Sequence, residues 1–169
     1  MSYPEFSQRV VALTGATNGF GAATARAFAE QKAYVALLYY DETGANRVAG
    51  DIASAGGRAL AVRIDVTDAE SVADAISGVF SEFGELDVLI NCVGGYGWKA
   101  TVEEITFDEW DSTVALNLRS VFLTCCAAIL YFKRSNAECG RCWNRRGFIN
   151  EITTQDSSYN AAITRNVID

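Results

Sequence analysis

A glycine-rich segment, TGATNGFG over residues 14–21, is the part of the sequence best suited to bind a ligand. Because glycine has no side chain, Gly15, Gly19 and Gly21 allow a tight turn that brings the backbone close to a bound group. A helical pattern starts at Phe20, and the first turn of a helix presents unpaired N–H groups and a partial positive charge. An anion is favoured at such a place, so the segment predicts a phosphate-binding loop.

The elements around this loop predict a parallel sheet. Short apolar runs, each typical of a strand buried on both faces, occur at residues 9–15, 34–40, 58–65 and 86–91. Stretches with helical periodicity separate them, and a longer helix is predicted from about Phe107 to Lys133. Strands that alternate with helices indicate an α/β fold, here a doubly wound parallel sheet or Rossmann-like three-layer sandwich. A dinucleotide usually binds by its diphosphate at the first glycine loop of such a sheet.

The C-terminal part of the sequence is less regular. Strands and helices are expected up to about residue 134, whereas residues 135–147 show no clear pattern and only Gly147-Phe148-Ile149 resembles a fifth strand. This stretch also holds a short basic cluster, which we interpret as an exposed loop rather than a nucleic-acid patch. We therefore predict a single domain over residues 1–169, with a sheet that is incomplete at its C-terminal edge.

Composition excludes several function classes. The chain has 169 residues, of which 50% are hydrophobic, enough for one core. Its net charge is −7, and an acidic surface repels nucleic acid. We find neither an apolar run of the roughly 20 residues that span a bilayer nor a leader segment, so we expect no membrane partner and a cytoplasmic location. The chain contains no His, which excludes Ser-His-Asp and Cys-His catalysis.

The five cysteines predict neither a disulfide scaffold nor a metal site. An odd number, spread over a chain of this size, is typical of a reducing compartment. Cys139 and Cys142 have the two-residue spacing of a zinc or redox pair. Neither a second such pair nor a His accompanies them, so we attribute the spacing to chance and predict no metal.

The spacing of the three glycines resembles the glycine loop of the short-chain dehydrogenase/reductase family, and further markers follow in the order of that family. Asp65-Val66 resembles the pair that holds the adenine, and Asn91-Cys92-Val93-Gly94 resembles the family's Asn-Asn-Ala-Gly turn. Asn117 and Tyr159 fall at the places of the catalytic Asn and Tyr. Within the family, the sequence looks most similar to 3-oxoacyl-carrier-protein reductases.

The resemblance implies an oxidoreductase that uses NAD(P) to transfer a hydride to or from small carbonyl or alcohol substrates. It implies catalytic roles for Asn117 and Tyr159. The residues that it places around the coenzyme are Thr14, Gly15, Asn18, Gly19, Phe20, Gly21, Tyr39, Asp65, Val66, Asn91 and Gly94. Members of the family commonly pair through the long helix, which implies a homo-oligomer.

The choice between NADP and NAD depends on the residue that ends the second strand. An acid there accepts hydrogen bonds from the adenosine ribose and repels a 2′-phosphate. Tyr39 stands at this place and is not an acid, which favours NADP. Against this, Asn18 stands where a phosphate-binding Arg or Lys is common, and a small shift of the turn would bring Asp41 closer. The sequence leans towards NADP and leaves NAD open.

Structural roles would also explain three of these residues. Asp65 could cap the helix that follows it, and Asn91 could satisfy backbone groups at the end of its strand. Asn117 could be an ordinary helix residue, although an amide among apolar neighbours needs a buried partner. Their joint occurrence with the glycine loop favours the functional interpretation.

The catalytic end of the resemblance is incomplete. The family's Lys, four residues after the Tyr, stabilises the phenolate of a group that otherwise titrates at about pH 10, and Ile163 stands there. No hydroxyl residue stands at 145–147, where the family has its Ser, and the sequence ends within a predicted Tyr-bearing helix over 157–169. We therefore expect a C-terminally truncated or frame-damaged sequence, with an inactive nucleotide-binding remnant as the alternative function.

Overall fold

The computed structural model describes residues 6–95, 101–132, 140–144, 149–152 and 163–164. Within these residues one sheet is formed by β1 (Val10–Thr14), β2 (Tyr34–Tyr39), β3 (Arg58–Arg63), β4 (Val88–Asn91), β5 (Gly140–Asn144), β6 (Ile149–Ile152) and β7 (Ile163–Thr164). Their order across the sheet is β3-β2-β1-β4-β5-β6-β7. The first four predicted strands are confirmed, with ends that move by at most two residues.

Helices connect the parallel strands, as the periodicity predicts. They are α1 (Gly19–Glu30), α2 (Glu42–Ser54), α3 (Ala69–Phe83), α4 (Phe107–Val114) and α5 (Ser120–Phe132). A short 3-10 turn at Val102–Glu104 precedes α4, and a π-helical turn at Ala115–Arg119 joins α4 to α5 into one long helix. The long helix predicted from Phe107 is therefore confirmed as a continuous element with a widened turn at its centre.

Strand β1 lies at the centre of the parallel region, between β2 and β4. It pairs with β2 from Val10↔Tyr34 onwards and with β4 from Val11↔Val88 onwards, parallel in both cases. The strand order reverses at this point, since the chain runs outwards from β1 to β3 and then returns to place β4 on the other side. Such a reversal opens a crevice beyond the carboxyl ends of the strands.

Residues of β1 alternate between two hydrophobic clusters on opposite faces of the sheet. Val10 and Ala12 belong to the cluster that also contains residues of α3 and α5, whereas Val11 and Leu13 belong to the cluster that contains residues of α1 and α2. A strand buried on both faces needs apolar residues at every position. The continuous run VVALT is therefore explained by helices on both sides of the sheet.

The C-terminal strands differ from the expected arrangement. The fifth strand is Gly140–Asn144, inside the stretch predicted to be irregular, and it pairs with β4 in parallel. The strand expected at 147–149 was misplaced, because Ile149–Ile152 forms β6, which is antiparallel to β5. Only four residues separate Asn144 from Ile149, and a parallel crossover needs roughly a dozen. A short connection of this length permits only the antiparallel return.

The helix predicted over 157–169 falls mostly on residues outside the described part of the chain. The two described residues there, Ile163 and Thr164, form β7, antiparallel to β6, rather than a helix. The candidate catalytic residue Tyr159 lies outside the described residues.

The long helix over Phe107–Phe132 would reach across a membrane by length and composition alone, although no spanning segment was expected. Its inner face is buried in the domain at every fourth residue, namely Ser120, Thr124, Ala128 and Phe132. Core helices of globular domains satisfy the same criterion, so the finding is weak evidence for a membrane span. On this helix Cys125 is disulfide-bonded, which the odd cysteine count did not predict.

Candidate functional site

The loop between β1 and α1 strongly favours glycine at its key positions. Gly15 and Gly19 have φ angles of +64° and +47°, in the left-handed region that L-residues with side chains rarely adopt. A Cβ on Gly15 would lie 3.0 Å from the backbone nitrogen of Val93, and a Cβ on Gly21 would collide with the carbonyl oxygen of Gly15. The glycine spacing is therefore a condition for closing this loop against β4.

Gly19 presents an open space to a ligand. Apart from its two chain neighbours and the backbone of α1, no heavy atom of the described residues lies within 4 Å of the place where its Cβ would be. Asn18 is the N-cap of α1 with an extended backbone, and its side chain makes no capping hydrogen bond. The amides of the first turn, which begins at Gly19, have no partner within the helix. A group with negatively charged oxygens fits this cradle, because the backbone N–H groups of the first turn are free to donate to it.

Phe20 and Thr14, at the two ends of the loop, differ in their exposure to solvent. Phe20, in the first turn of α1, is 62% exposed and borders the open space. Thr14 is buried, and its Oγ1 accepts hydrogen bonds from the backbone N–H groups of Cys92 and Val93 at 3.2 and 3.4 Å. Thr14 therefore holds the turn after β4 in place, and direct contact with a coenzyme stays a prediction.

Asn91 connects β4 to the long helix. Its side chain is buried, its Oδ1 accepts a hydrogen bond from Thr124 Oγ1 at 2.8 Å, and its Nδ2 donates to Cys125 Sγ at 3.7 Å. These contacts face α5 rather than the open crevice. They make Asn91 a positioning residue for the strand end, and its predicted role towards the coenzyme stays a prediction.

Asn117 holds the turn that follows β4. Its Nδ2 donates to the carbonyl oxygens of Gly95 (2.6 Å) and Thr113 (2.8 Å), and its Oδ1 accepts from Gly95 N–H at 3.0 Å. A Cβ on Gly94 would lie 3.0 Å from the same Oδ1. Asn117 lies in the π-helical turn, a feature often found at functional sites. An ordinary helix residue would not make this reciprocal pair with a distant turn.

Asp65 forms a closed turn after β3. Its Oδ1 accepts hydrogen bonds from Thr67 N–H (2.9 Å) and Thr67 Oγ1 (2.6 Å), and the bond from the Thr67 hydroxyl is the main reason that the pKa of Asp65 is lowered. The alternative that Asp65 caps the next helix is wrong, since Asp68 accepts from Ser71 N–H and is the N-cap of α3. Val66, beside it, is buried in the core.

Two arginines that the sequence did not single out also bind these turns. Arg119 Nη2 donates to the carbonyl oxygen of Thr67 at 2.8 Å, which ties the long helix to the turn after β3. Arg47 Nη2 donates to the carbonyl oxygen of Thr17 at 2.9 Å, which ties α2 to the glycine loop. Neither contact has a sequence signal, because each joins residues that are at least 30 positions apart.

These residues lie around the crevice beyond the carboxyl ends of β1 to β4, some of them buried beneath it. We name its two ends by what forms them. The glycine end consists of residues 14–21 and the turn 91–95, since Thr14 pairs with Asn91. The polar end consists of Tyr39, Asp41, Arg47 and the turn 65–67, since Tyr39 pairs with Arg63 at the end of β3. The structure therefore places the predicted coenzyme-binding residues and Asn117 at the same edge of the sheet, and their binding of a coenzyme stays a prediction.

Comparison with known proteins identifies the family of the chain. The profile of the short chain dehydrogenase family matches residues 9–142, which is most of the chain. The chain belongs to the short-chain dehydrogenase family. A short chain dehydrogenase from Mycobacterium smegmatis has the same fold, with a TM-score of 0.78 and 33% sequence identity over 85% of this chain and 59% of that one.

Two curated relatives show which kinds of protein the chain is similar to. It is 39% identical to the cis-4-hydroxycyclohexanecarboxylate dehydrogenase of Sinomonas cyclohexanicum, over 93% of this chain and 62% of that protein. It is also 39% identical to the D-threitol dehydrogenase of Mycolicibacterium smegmatis, over 69% of this chain and 45% of that protein. The chain thus spans about half to three fifths of the length of these short-chain dehydrogenases.

Proposed function

We propose that this chain is the coenzyme-binding part of an NAD(P)-dependent oxidoreductase that acts on a small carbonyl or alcohol substrate. The observation that carries the proposal is the cradle at the glycine end, where Gly15 and Gly19 are left-handed and Gly21 packs on the Gly15 carbonyl. A diphosphate bridge would use both the free amides and the open space at this place.

Each part of the crevice has an assigned role in this proposal. The amides of the first turn of α1, from Gly19 to Gly21, would bind the diphosphate, with Phe20 beside it. Tyr39, Asp65 and Val66 would surround the adenosine, and Asn91 and Gly94 would line the path towards the nicotinamide. When bound, the nicotinamide would supply or accept the hydride. Asn117 would keep the turn 94–95 in the geometry that this path needs.

Proton transfer is assigned to Tyr159, on the strength of the family resemblance. A Tyr hydroxyl needs a nearby cation to act as a base at neutral pH, and Ile163, in β7, is apolar. Ile163 is the observation behind a second candidate function, a chain that binds the coenzyme without turnover, whereas the relatives named as dehydrogenases favour the first. Oxidation of NADPH in the presence of small ketones would favour the first candidate, whereas binding without oxidation would favour the second.

The proposal extends to the coenzyme, the partners and the cellular location of the protein. The absence of an acid at Tyr39 favours NADP over NAD. The net charge of −7 argues against nucleic acid and is compatible with a cytoplasmic protein that has no membrane partner. The outer face of the long helix exposes apolar residues at a spacing of four, Leu118, Phe122 and Leu130, with Cys126 between them. We propose that a second copy of the chain covers this face.

Fluorescence titration with NADPH and NADH tests the proposal, with two matched variants. In Gly19→Ala the new methyl group enters the cradle, so we expect the Kd for both coenzymes to rise at least about tenfold. Gly56→Ala is the control, because Gly56 also has a positive φ (+77°) and an open surrounding space, but lies at the end of α2. Both variants should lose similar stability, roughly 1–2 kcal/mol.

The two variants separate strain from ligand contact. Weaker binding in Gly19→Ala alone supports a diphosphate at the glycine end. Equal affinities in both variants, or no binding by the folded parent chain, would overturn the proposed function.

A further inference from the structure

A cation from outside the glycine loop is fixed on that loop. The Arg47 guanidinium donates to the carbonyl oxygen of Thr17, a buried residue directly before Asn18. The sequence shows no charge within the loop itself, where Asn18 is polar but neutral. The contact places a positive charge beside Asn18 that the sequence alone does not reveal.

Gly44 is the reason that Arg47 can reach the loop. A Cβ on Gly44 would lie 2.7 Å from Thr17 Cβ and 3.0 Å from Thr17 O, so α2 packs against the loop only because this residue is glycine. Arg47 follows three positions later, on the same face of the helix. Its position is therefore a consequence of close helix–loop packing and not of a chance surface rotamer.

The charge on Arg47 is not neutralised by a neighbour. Among the described residues no carboxylate oxygen lies within 4.0 Å of its guanidinium, and the ion pairs formed there are Arg9–Asp87 and Arg26–Asp51. A guanidinium has five N–H groups, and the bond to Thr17 uses one. The other N–H groups leave Arg47 with donors for an anion bound beside the glycine loop.

An opposing charge lies close by. Asp41 is the N-cap residue of α2, and its Oδ2 would be 2.5 Å from a Cβ on Gly44. Asp41 and Arg47 thus both lie at the contact between α2 and Thr17. A carboxylate there disfavours a second phosphate group and a guanidinium favours it, so these two residues have opposite effects on coenzyme choice.

We propose that Arg47 binds the 2′-phosphate of NADP and sets the coenzyme preference against the opposing effect of Asp41. This rests on the proposed function, because it requires the adenosine ribose to lie at the end of β2, beside Tyr39. A guanidinium suits the role, since its planar fork binds phosphate oxygens in pairs and keeps its charge at every physiological pH.

Calorimetric titration with two small probes tests the assignment. Adenosine 2′,5′-bisphosphate and adenosine 5′-monophosphate carry only the adenosine end of the coenzymes, so their binding needs no catalytic residue. In Arg47→Gln we expect the affinity for the bisphosphate to fall by about ten- to hundredfold, the usual effect of a lost hydrogen bond to a charged group. The affinity for the monophosphate should change by less than about twofold.

Three further variants sharpen the result. Arg47→Lys keeps the charge but loses the fork, and should give an intermediate loss for the bisphosphate. Asp41→Asn should strengthen bisphosphate binding. Arg26→Gln is the matched control, because it removes one positive charge from α1, where Arg26 pairs with Asp51 at 2.6 Å, and should leave the affinity ratio unchanged.

The outcomes separate the inference from the proposed function. If both probes bind and Arg47→Gln leaves their affinity ratio unchanged, or lowers both affinities equally, the inference is overturned while coenzyme binding stands. If the folded parent chain binds neither the probes nor NADPH nor NADH, the proposed function fails and the inference with it. A preserved circular dichroism spectrum and melting temperature confirm that each variant is folded.

Discussion

The two ends of the crevice achieve their geometry by different means. At the glycine end the main chain determines the geometry, because Gly15 and Gly19 are left-handed and Gly21 lies against the Gly15 carbonyl. At the polar end side chains make the contacts, with Asp65 closing the turn 65–67 and Arg47 reaching from α2 to Thr17 in the glycine loop. The glycine end thus depends on the absence of side chains. The polar end depends on charged side chains from elements that are far apart in sequence.

The largest effect is expected from Gly21→Ala. The new Cβ would overlap the Gly15 carbonyl oxygen, and the loop would have to open to relieve the overlap. We expect a loss of about 2–3 kcal/mol in the free energy of unfolding, together with a loss of coenzyme binding. Urea denaturation measures the first quantity and NADPH fluorescence the second.

Gly78→Ala is the control for this change. Gly78 lies in the middle of α3, and no heavy atom is within 4 Å of the place of its Cβ. Because alanine is a better helix former than glycine, stability should rise by roughly 0.5–1 kcal/mol. The changes in the free energy of unfolding should have opposite signs in the two variants. An unchanged stability in Gly21→Ala would mean that the close backbone contact does not hold the glycine end.

A smaller effect is expected from Asn117→Ala, which removes the clamp on the turn 94–95. The variant loses the two hydrogen bonds to Gly95 and the one to Thr113, so stability should fall by about 1–2 kcal/mol. Ser112→Ala, which removes one exposed bond to the Glu109 carbonyl, should stay within about 0.5 kcal/mol of the parent. Equal thermal shifts in both variants would show that Asn117 does not hold the turn.

The smallest effect concerns Asp65 at the polar end. The hydrogen bonds from Thr67 lower its pKa below the value in the unfolded chain, so the charged form stabilises the fold. This contribution is present above the unfolded pKa of about 4 and is lost as the pH falls through the folded pKa. Since the carboxylate is largely solvated, its size should be below about 1 kcal/mol.

Asp65→Asn removes this dependence on pH. The free energy of unfolding of the parent, measured by urea denaturation at each pH, should fall towards that of the variant as the pH drops below the unfolded pKa of about 4. Asp74→Asn, on the exposed face of α3, is the control with a titrating group removed elsewhere. A pH-independent difference between the parent and Asp65→Asn would contradict the closed turn seen after β3.

The same contrast explains how far the sequence predicts the structure. Strands β1 to β4 and the helices up to Phe132 are predicted from local patterns, because apolar residues recur along each element with the period of a strand or a helix. The glycine end is predicted from the spacing of Gly15, Gly19 and Gly21, which permits a tight turn before α1. Local rules suffice where the backbone alone determines the geometry.

Local rules fail where residues far apart in sequence meet. The contacts of Arg47 with Thr17 and of Arg119 with Thr67 have no periodic signal. Asp65 and Asp68 are equally plausible caps of α3 by sequence, and the structure shows that Asp68 is the cap. The strand expected at 147–149 was misplaced for a similar reason, because the pairing of β5 with β4 is decided by the sheet edge that is available and not by apolar residues.

The most direct test is a ¹H–¹⁵N NMR titration of the chain with NADPH. The largest amide shifts are predicted at Gly19, Phe20 and Gly21, with smaller ones at the polar end. Shifts confined to the surface pocket between α1 and α2, lined by Arg26, Lys32 and Asp51 among others, would contradict coenzyme binding at the glycine end. Unchanged amides throughout residues 14–21 would contradict it equally.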